Sequence, residues 1–236
     1  MSRDATARAA VLARIRASLG VTGGEETRRA AVAQRLAGHP AGVVPEIGGL
    51  SGAGAVTRFR EQLLAAAATL SEVATAAEVP GAVAAFLAAR NLPARIRRGD
   101  DPRLSAMPWS PGLVEVATGR SHGDDLVGLS HVETAVAESG TLLLVSGPDN
   151  PTTLNFLPET HVVVVDAADV VGSLEEAIGR LRRRYGAGTM PRTVNLVTGP
   201  SRSADIEQRL LYGAHGPKAL HVVLVGAAPP AAAPPS

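Results

Sequence analysis

The sequence predicts an α/β protein: a Rossmann-like, largely parallel sheet with helices on both faces, preceded by a helical N-terminal extension. Three observations predict it. Apolar runs such as Leu142 to Val145 and Val162 to Val165 lack polar alternation, which marks strands buried on both faces. Segments of helical periodicity, such as the one through Leu174, Ile178 and Leu181, alternate with these runs. The composition is 45% hydrophobic but only 3% aromatic, so the core must be built from Val, Leu, Ile and Ala.

Along the chain, Asp4 is placed to cap a helix whose apolar residues Val11, Leu12, Ile15 and Leu19 recur at helical spacing, with Gly20 as its stop. A second short helix is expected over Ala30 to Leu36, and Gly38 to Gly54 is too rich in Gly and Pro for regular structure. Residues 1–50 therefore read as an extension, open to being swapped onto another copy in a homo-oligomer. Residues 51–226 read as the α/β domain, and 227–236 as an Ala/Pro tail that cannot pack a core and is expected to be disordered.

Within the domain, Val56, Phe59, Leu63 and Leu70 mark a helix, Glu72 to Ala76 a strand, and Pro80 to Arg90 a helix with proline in its first turn. Strands follow at Ala94 to Arg97 and Leu113 to Ala117. His131 to Ala137 and Thr141 to Ser146 form a hairpin across Glu138-Ser139-Gly140, where glycine supplies a positive φ. After the strand at His161 to Asp166 and the helix at Leu174 come a strand at Val194 to Thr198, a helix from about Ala204 to Leu211, and a last strand at Leu220 to Val225.

Charge and composition exclude several function classes. With 23 Lys+Arg against 22 Asp+Glu there is no basic excess to bind a nucleic-acid backbone. With no cysteine there is no disulfide, no thiolate-held iron–sulfur cluster and no cysteine nucleophile. Arg3, Asp4, Arg8, Arg14 and Arg16 interrupt the N-terminus, which lacks a signal-peptide apolar block, and no apolar run is long enough to span a membrane. A cytoplasmic protein without a cofactor of its own is expected.

Two strand ends share a phrase, Val145-Ser146-Gly147-Pro148 and Val197-Thr198-Gly199-Pro200. In open parallel sheets ligands bind beyond the carboxyl ends of strands, so both loops are expected at one such edge. After Gly199-Pro200, the residues Ser201, Arg202 and Ser203 would open a helix carrying Asp205, and free backbone N–H groups there suit a small anion. The plainer reading is a strand-to-helix turn with Ser203 as N-cap. His215 and Gly216 lie in a glycine-flanked loop, where close backbone approach to a ligand is allowed. Asp205, Glu207 and His215 offer metal-ligand atoms, but on a helix the two acids point about 200° apart, so no metal is expected. Glu138 is either a turn residue or, if shielded, an acid, base or nucleophile. Asn155 and His161 are either boundary residues or pocket residues. No Ser-His-Asp spacing, Walker loop or Gly-x-Gly-x-x-Gly fingerprint is present.

The run Ala137-Glu138-Ser139-Gly140-Thr141-Leu142, the strand at His161, the phrase Gly199-Pro200-Ser201-Arg202-Ser203-Ala204-Asp205-Ile206-Glu207 and the loop Gly213-Ala214-His215-Gly216-Pro217 together resemble the LUD domain family, the lactate-utilization protein C type. The likeness covers about Leu126 to Val225. It implies a fold similar to the sugar-phosphate isomerase, glucosamine-phosphate deaminase and coenzyme A transferase superfamily. It also implies a part in oxidising L-lactate to pyruvate beside two iron–sulfur partner proteins. Ser139 and Ser203 stand where threonine is expected, and both keep the hydroxyl.

Three readings follow. The chain is a lactate-oxidation component binding a small anion at Ser146, Gly147, Gly199, Ser201, Arg202, Ser203, Asp205, His215 and Gly216, with Glu138 facing the cleft. Alternatively it is a stand-alone isomerase, acyl-transferase or cyclo-ligase with Glu138 as nucleophile or base, or a ligand-free docking scaffold.

Overall fold

The computed structural model describes residues 3–40, 42–186, 188–206 and 209–227. The chain divides into two compact units, residues 1–43 and the remainder from Val44. The Ala/Pro stretch beyond Ala227, and Glu207, lie outside the described residues.

The first unit holds α1 (Arg3–Leu19) and α2 (Glu26–Gly38). Helix α1 starts at Arg3, so Asp4 lies inside the first turn and not at its cap. Gly20 ends it with a φ of +63°. Glu25 closes the connection by accepting hydrogen bonds from the N–H groups of Thr22 and Gly23, which hold its carboxylate down at about 2. The stripe Leu12, Ile15, Val32 and Leu36 stays exposed within this unit.

The second unit begins with a 3-10 turn at Glu46–Gly49, followed in order by α3 (Gly52–Ala65), β1 (Thr69–Val73), α4 (Val79–Ala89), β2 (Arg95–Arg98), α5 (Pro102–Ser105), β3 (Glu115–Thr118), β4 (Val127–His131), β5 (Thr134–Val136), β6 (Thr141–Val145), α6 (Thr152–Phe156), β7 (Thr160–Asp166), β8 (Val170–Val171), α7 (Leu174–Tyr185), β9 (Val194–Val197), β10 (Arg202–Ile206), β11 (Arg209–Tyr212) and β12 (Ala219–Val225). Leu70, expected on the first helix of the domain, falls on β1.

Six strands form a sheet in the order β1-β12-β7-β4-β2-β3, with every pairing parallel. One face packs on α4 and α5 through Val79, Val83, Phe86, Leu87 and Leu104, which meet Leu129, Val162, Val164 and Val223. The opposite face carries Val163, Val165, Val222 and Leu224, which meet Phe59 and Leu63 of α3 and Leu142 and Leu144 of β6. The expected α/β architecture is what the structure shows, and its core is aliphatic as the composition requires.

The hairpin β5–β6 does not extend the parallel sheet. It builds a second, four-stranded sheet, β8-β5-β6-β9, which covers the face beside α3. The other side of this second sheet packs Val136, Leu143 and Val171 on Ala177 and Leu181 of α7. Ser173 caps α7 by accepting from the N–H of Glu176, and Gly186 ends it. The hairpin turn has Gly140 at φ +68°, as expected.

Two expectations are corrected. The helix from Ala204 to Leu211 is instead an antiparallel ribbon, β10 with β11. A charged stretch that follows a serine reads equally as a capped helix or an outlying strand pair, and tertiary pairing decides. The single strand expected over His131 to Ala137 is instead the end of β4 and the whole of β5, and β4 carries little sequence signal because Gly128 and Ser130 break its apolar run. Among the described residues, no helix is long and apolar enough to cross a membrane.

Candidate functional site

Parallel pairing puts the last residues of β4 and β7, His131 and Asp166, at one rim of the large sheet. There His131 is 4% exposed; its Nδ1 lies 3.0 Å from the carbonyl of Val132 and its Nε2 3.1 Å from Asp166 Oδ2. Asp101, at the cap of α5, is also buried and accepts from the backbone N–H, Nε and Nη2 of Arg103. Arg103 donates through Nη1 to the Val132 carbonyl as well and approaches Asp169 Oδ2 at 3.8 Å. Arg184 pairs with Glu133 beside this group.

The electrostatics of the rim follow from those contacts. Burial works against the Asp101 carboxylate, but Arg103 outweighs it and holds the pKa below the ordinary range. The hydrogen bond from His131 holds Asp166 down against its burial. Asp169 goes the other way, pushed up by burial first and then by the Asp166 charge.

Ser146 and Gly147 lie on this carboxyl-end side. Ser146 exchanges hydrogen bonds with Thr193, and the Pro148 carbonyl of the same loop accepts from the N–H of Asp100, just past β2. Gly199 lies elsewhere. Because β6 and β9 are antiparallel, with Leu142 opposite Val197 and Val145 opposite Val194, the two similar phrases sit at opposite ends of their pair. The expectation that both loops share one edge is therefore corrected.

The remaining candidates gather at the amino-end side of the large sheet. Ser201 N–H donates to the Pro217 carbonyl, Gly213 N–H to the Ser201 carbonyl, and His215 N–H to Ser201 Oγ at 3.3 Å. Lys218 N–H then bonds the carbonyl of Glu159, which precedes β7. The glycine loops around Gly199 and His215 thus converge, with Gly216 stacked near Ser201 and Phe156. Arg202 is exposed and donates through Nη2 to the Ala66 carbonyl at 2.6 Å. Ser203 and Asp205 lie on strand β10, so the helix N-terminus that was to bind an anion is absent here.

Glu138 stands near this side. Ser139 Oγ, Thr141 Oγ1 and Thr198 Oγ1 form a hydroxyl chain of 2.8 and 2.5 Å that joins its turn to the Thr198-Gly199 turn. The Glu138 carboxylate itself turns to α7 and accepts from the N–H of Leu174.

Asn155 and His161 are buried between layers. Ser130 Oγ lies 2.9 Å from Asn150 Oδ1, 3.2 Å from Asn155 Oδ1 and 2.9 Å from His161 Nε2. Burial alone lowers His161 to about 4, so the ring is neutral at ordinary pH. His221 stacks on Phe86 and is lowered to about 4 by burial and then by Arg90.

Reading the sequence missed Asp101, Arg103, His131, Asp166 and Asp169 as a group. Their only linear signal is position, each at or just past the end of a strand, and which strands end side by side is decided by topology.

The chain shares sequence with proteins named lactate utilization protein C. It is 39% identical over 100 residues to that of Geobacillus thermodenitrificans, covering 42% of each chain. It is 38% identical over 100 residues to that of Bacillus subtilis, again 42% of each. With that of Geobacillus kaustophilus it is 35% identical over 122 residues, 49% of each. The aligned part thus spans under half the length of these relatives. A crystal structure of a DUF162 family protein from Deinococcus radiodurans superposes with a TM-score of 0.57 at 24% identity, covering 75% of this chain and 99% of that one. The LUD domain matches residues 56–225, which takes in the large sheet, the second sheet and both rims, and the chain belongs to the LUD domain family.

Proposed function

We infer that this protein serves in L-lactate utilization, as a component that binds a small carboxylate or other anion and works beside iron–sulfur proteins. Proteins that it resembles over about 100 residues carry lactate utilization in their names. This sequence has no cysteine to hold a cluster, so electron transfer through one falls to partners.

The single observation that supports the binding part is the convergence of Gly199-Ser201 with Gly213-Pro217, tied by three hydrogen bonds through Ser201. The convergence brings the loop that carries the exposed His215 against Ser201, next in sequence to the exposed Arg202. The remaining N–H groups of the Arg202 guanidinium would supply the donors, in place of a helix dipole. Glu138 enters as a helix-binding carboxylate, and Ser146 and Gly147 belong to the other rim.

The test is growth on L-lactate as sole carbon source in a strain lacking the gene. The wild-type chain should restore growth. Arg202→Ala should restore it poorly while melting within about 2 °C of wild type. Full growth with the Arg202 variant would remove the binding role, and failure of the wild-type chain to complement would remove the lactate role.

A further inference from the structure

We propose that His131, Asp166 and Asp169 form a binding site for a divalent first-row transition cation at the carboxyl-end rim of the large sheet. The inference stands apart from the lactate reading, since it rests on this rim alone.

His131 carries the argument. A neutral imidazole has one N–H, and here both ring nitrogens face acceptors: the Val132 carbonyl at 3.0 Å and the Asp166 carboxylate at 3.1 Å. The ring proton can sit on either nitrogen: on Nε2 it bonds Asp166, and on Nδ1 it bonds the Val132 carbonyl and leaves the Nε2 lone pair free to ligate, 3.1 Å from Asp166 Oδ2, close to the spacing of neighbouring ligand atoms on one ion with bonds of about 2.1 Å. Bonding of the far ring nitrogen to a backbone carbonyl is the usual outer support of a metal-bound histidine.

Asp169 supplies the second reason. One ligand atom from each of His131, Asp166 and Asp169 lies within 4.8 Å of the other two. Ligand atoms on one such ion stand about 3 to 4.2 Å apart, according to whether they are neighbours or opposite, so the cluster would close by about half an ångström or more on binding. The cations near Asp169 leave it incompletely matched. Arg103 and Arg180 stand 3.8 and 4.0 Å from its oxygens, beyond hydrogen-bonding distance, while Arg103 is committed to Asp101 and Arg180 also faces Glu176. Two half-buried carboxylates thus share a small space beside a buried imidazole, an arrangement a dication relieves. One nitrogen and two oxygens suit first-row ions such as Mn²⁺, Fe²⁺, Co²⁺ or Zn²⁺ better than Ca²⁺, which takes six to eight oxygens, and three protein ligands leave positions open to water or an oxygen ligand.

The experiment uses the full chain, chelator-treated and free of any affinity tag, titrated calorimetrically with Zn²⁺ and with Mn²⁺. One saturable site is expected, with a rise in Tm on addition of metal. Asp169→Asn, which keeps the side-chain shape, should weaken binding at least about tenfold, as should Asp166→Asn. Because a variant can misfold, the wild-type chain is also followed by imidazole NMR, where Mn²⁺ should broaden the His131 ring signals first. Unchanged affinity in both variants would overturn the proposal. So would a His131 ring whose signals ignore added metal.

Discussion

The carboxylate of Glu138 accepts a hydrogen bond from the backbone N–H of Leu174 at 2.8 Å, joining a hairpin turn to the first residue of a helix 36 positions later. Ser173 already satisfies the N–H of Glu176, so Glu138 meets a second donor of the same helix end. Its negative charge also lies at the favourable pole of the helix. Glu138→Ala should therefore lower unfolding free energy by about 1–2 kcal/mol. Glu138→Gln keeps an acceptor and should lose less than half of that. Urea denaturation of both variants checks it; equal losses would mean that the charge, not the hydrogen bond, matters.

Stability should fall on mild acidification. His161 and His221 are held near 4 in the fold, against 6.5 for an ordinary ring. Between those values the unfolded chain binds protons that the native chain refuses, so stability is whole above about pH 6.5 and lost progressively toward pH 4. Each ring accounts for up to about 3 kcal/mol. His221→Phe keeps the stack on Phe86, 3.9 Å between centroids, and removes one titrating group. Its unfolding free energy, measured from pH 7 to pH 4, should decline about half as steeply as wild type.

The buried hydroxyl of Ser130 serves His161, Asn150 and Asn155 together. Ser130→Ala leaves those buried polar groups without it, at a cost of about 1–3 kcal/mol. The urea midpoint should drop with an unchanged slope, since the same surface is exposed on unfolding. Stability equal to wild type would mean that the three groups find other partners.

Gly199 has φ +81°, and a Cβ there would lie 2.4 Å from the Ala66 carbonyl oxygen. Both the left-handed backbone and the close approach require glycine. Gly199→Ala should cost more than about 2 kcal/mol, a Tm drop of roughly 4–8 °C for a domain of this size. A calorimetric scan reads it directly.

The amino-acid sequence by itself determined the fold class, since the unbroken apolar run at Val162 marks a strand buried on both faces of a helix-covered parallel sheet; the run at Leu142 is buried on both faces too, although its strand pairs antiparallel. It determined the hairpin at Glu138-Ser139-Gly140 and the aliphatic core, because turn chemistry and side-chain volume act locally. It also carried the family likeness. Tertiary structure alone decided that β5 and β6 leave the large sheet for a second one, and that Ser203 to Tyr212 pairs as a ribbon although its local pattern suits a helix. It alone set the loops after β6 and β9 at opposite ends and brought His131, Asp101, Asp166 and Asp169 to one rim. The physical reason is that periodicity reports only which face of a segment is buried, whereas strand order and direction depend on long-range pairing energies that no single segment contains.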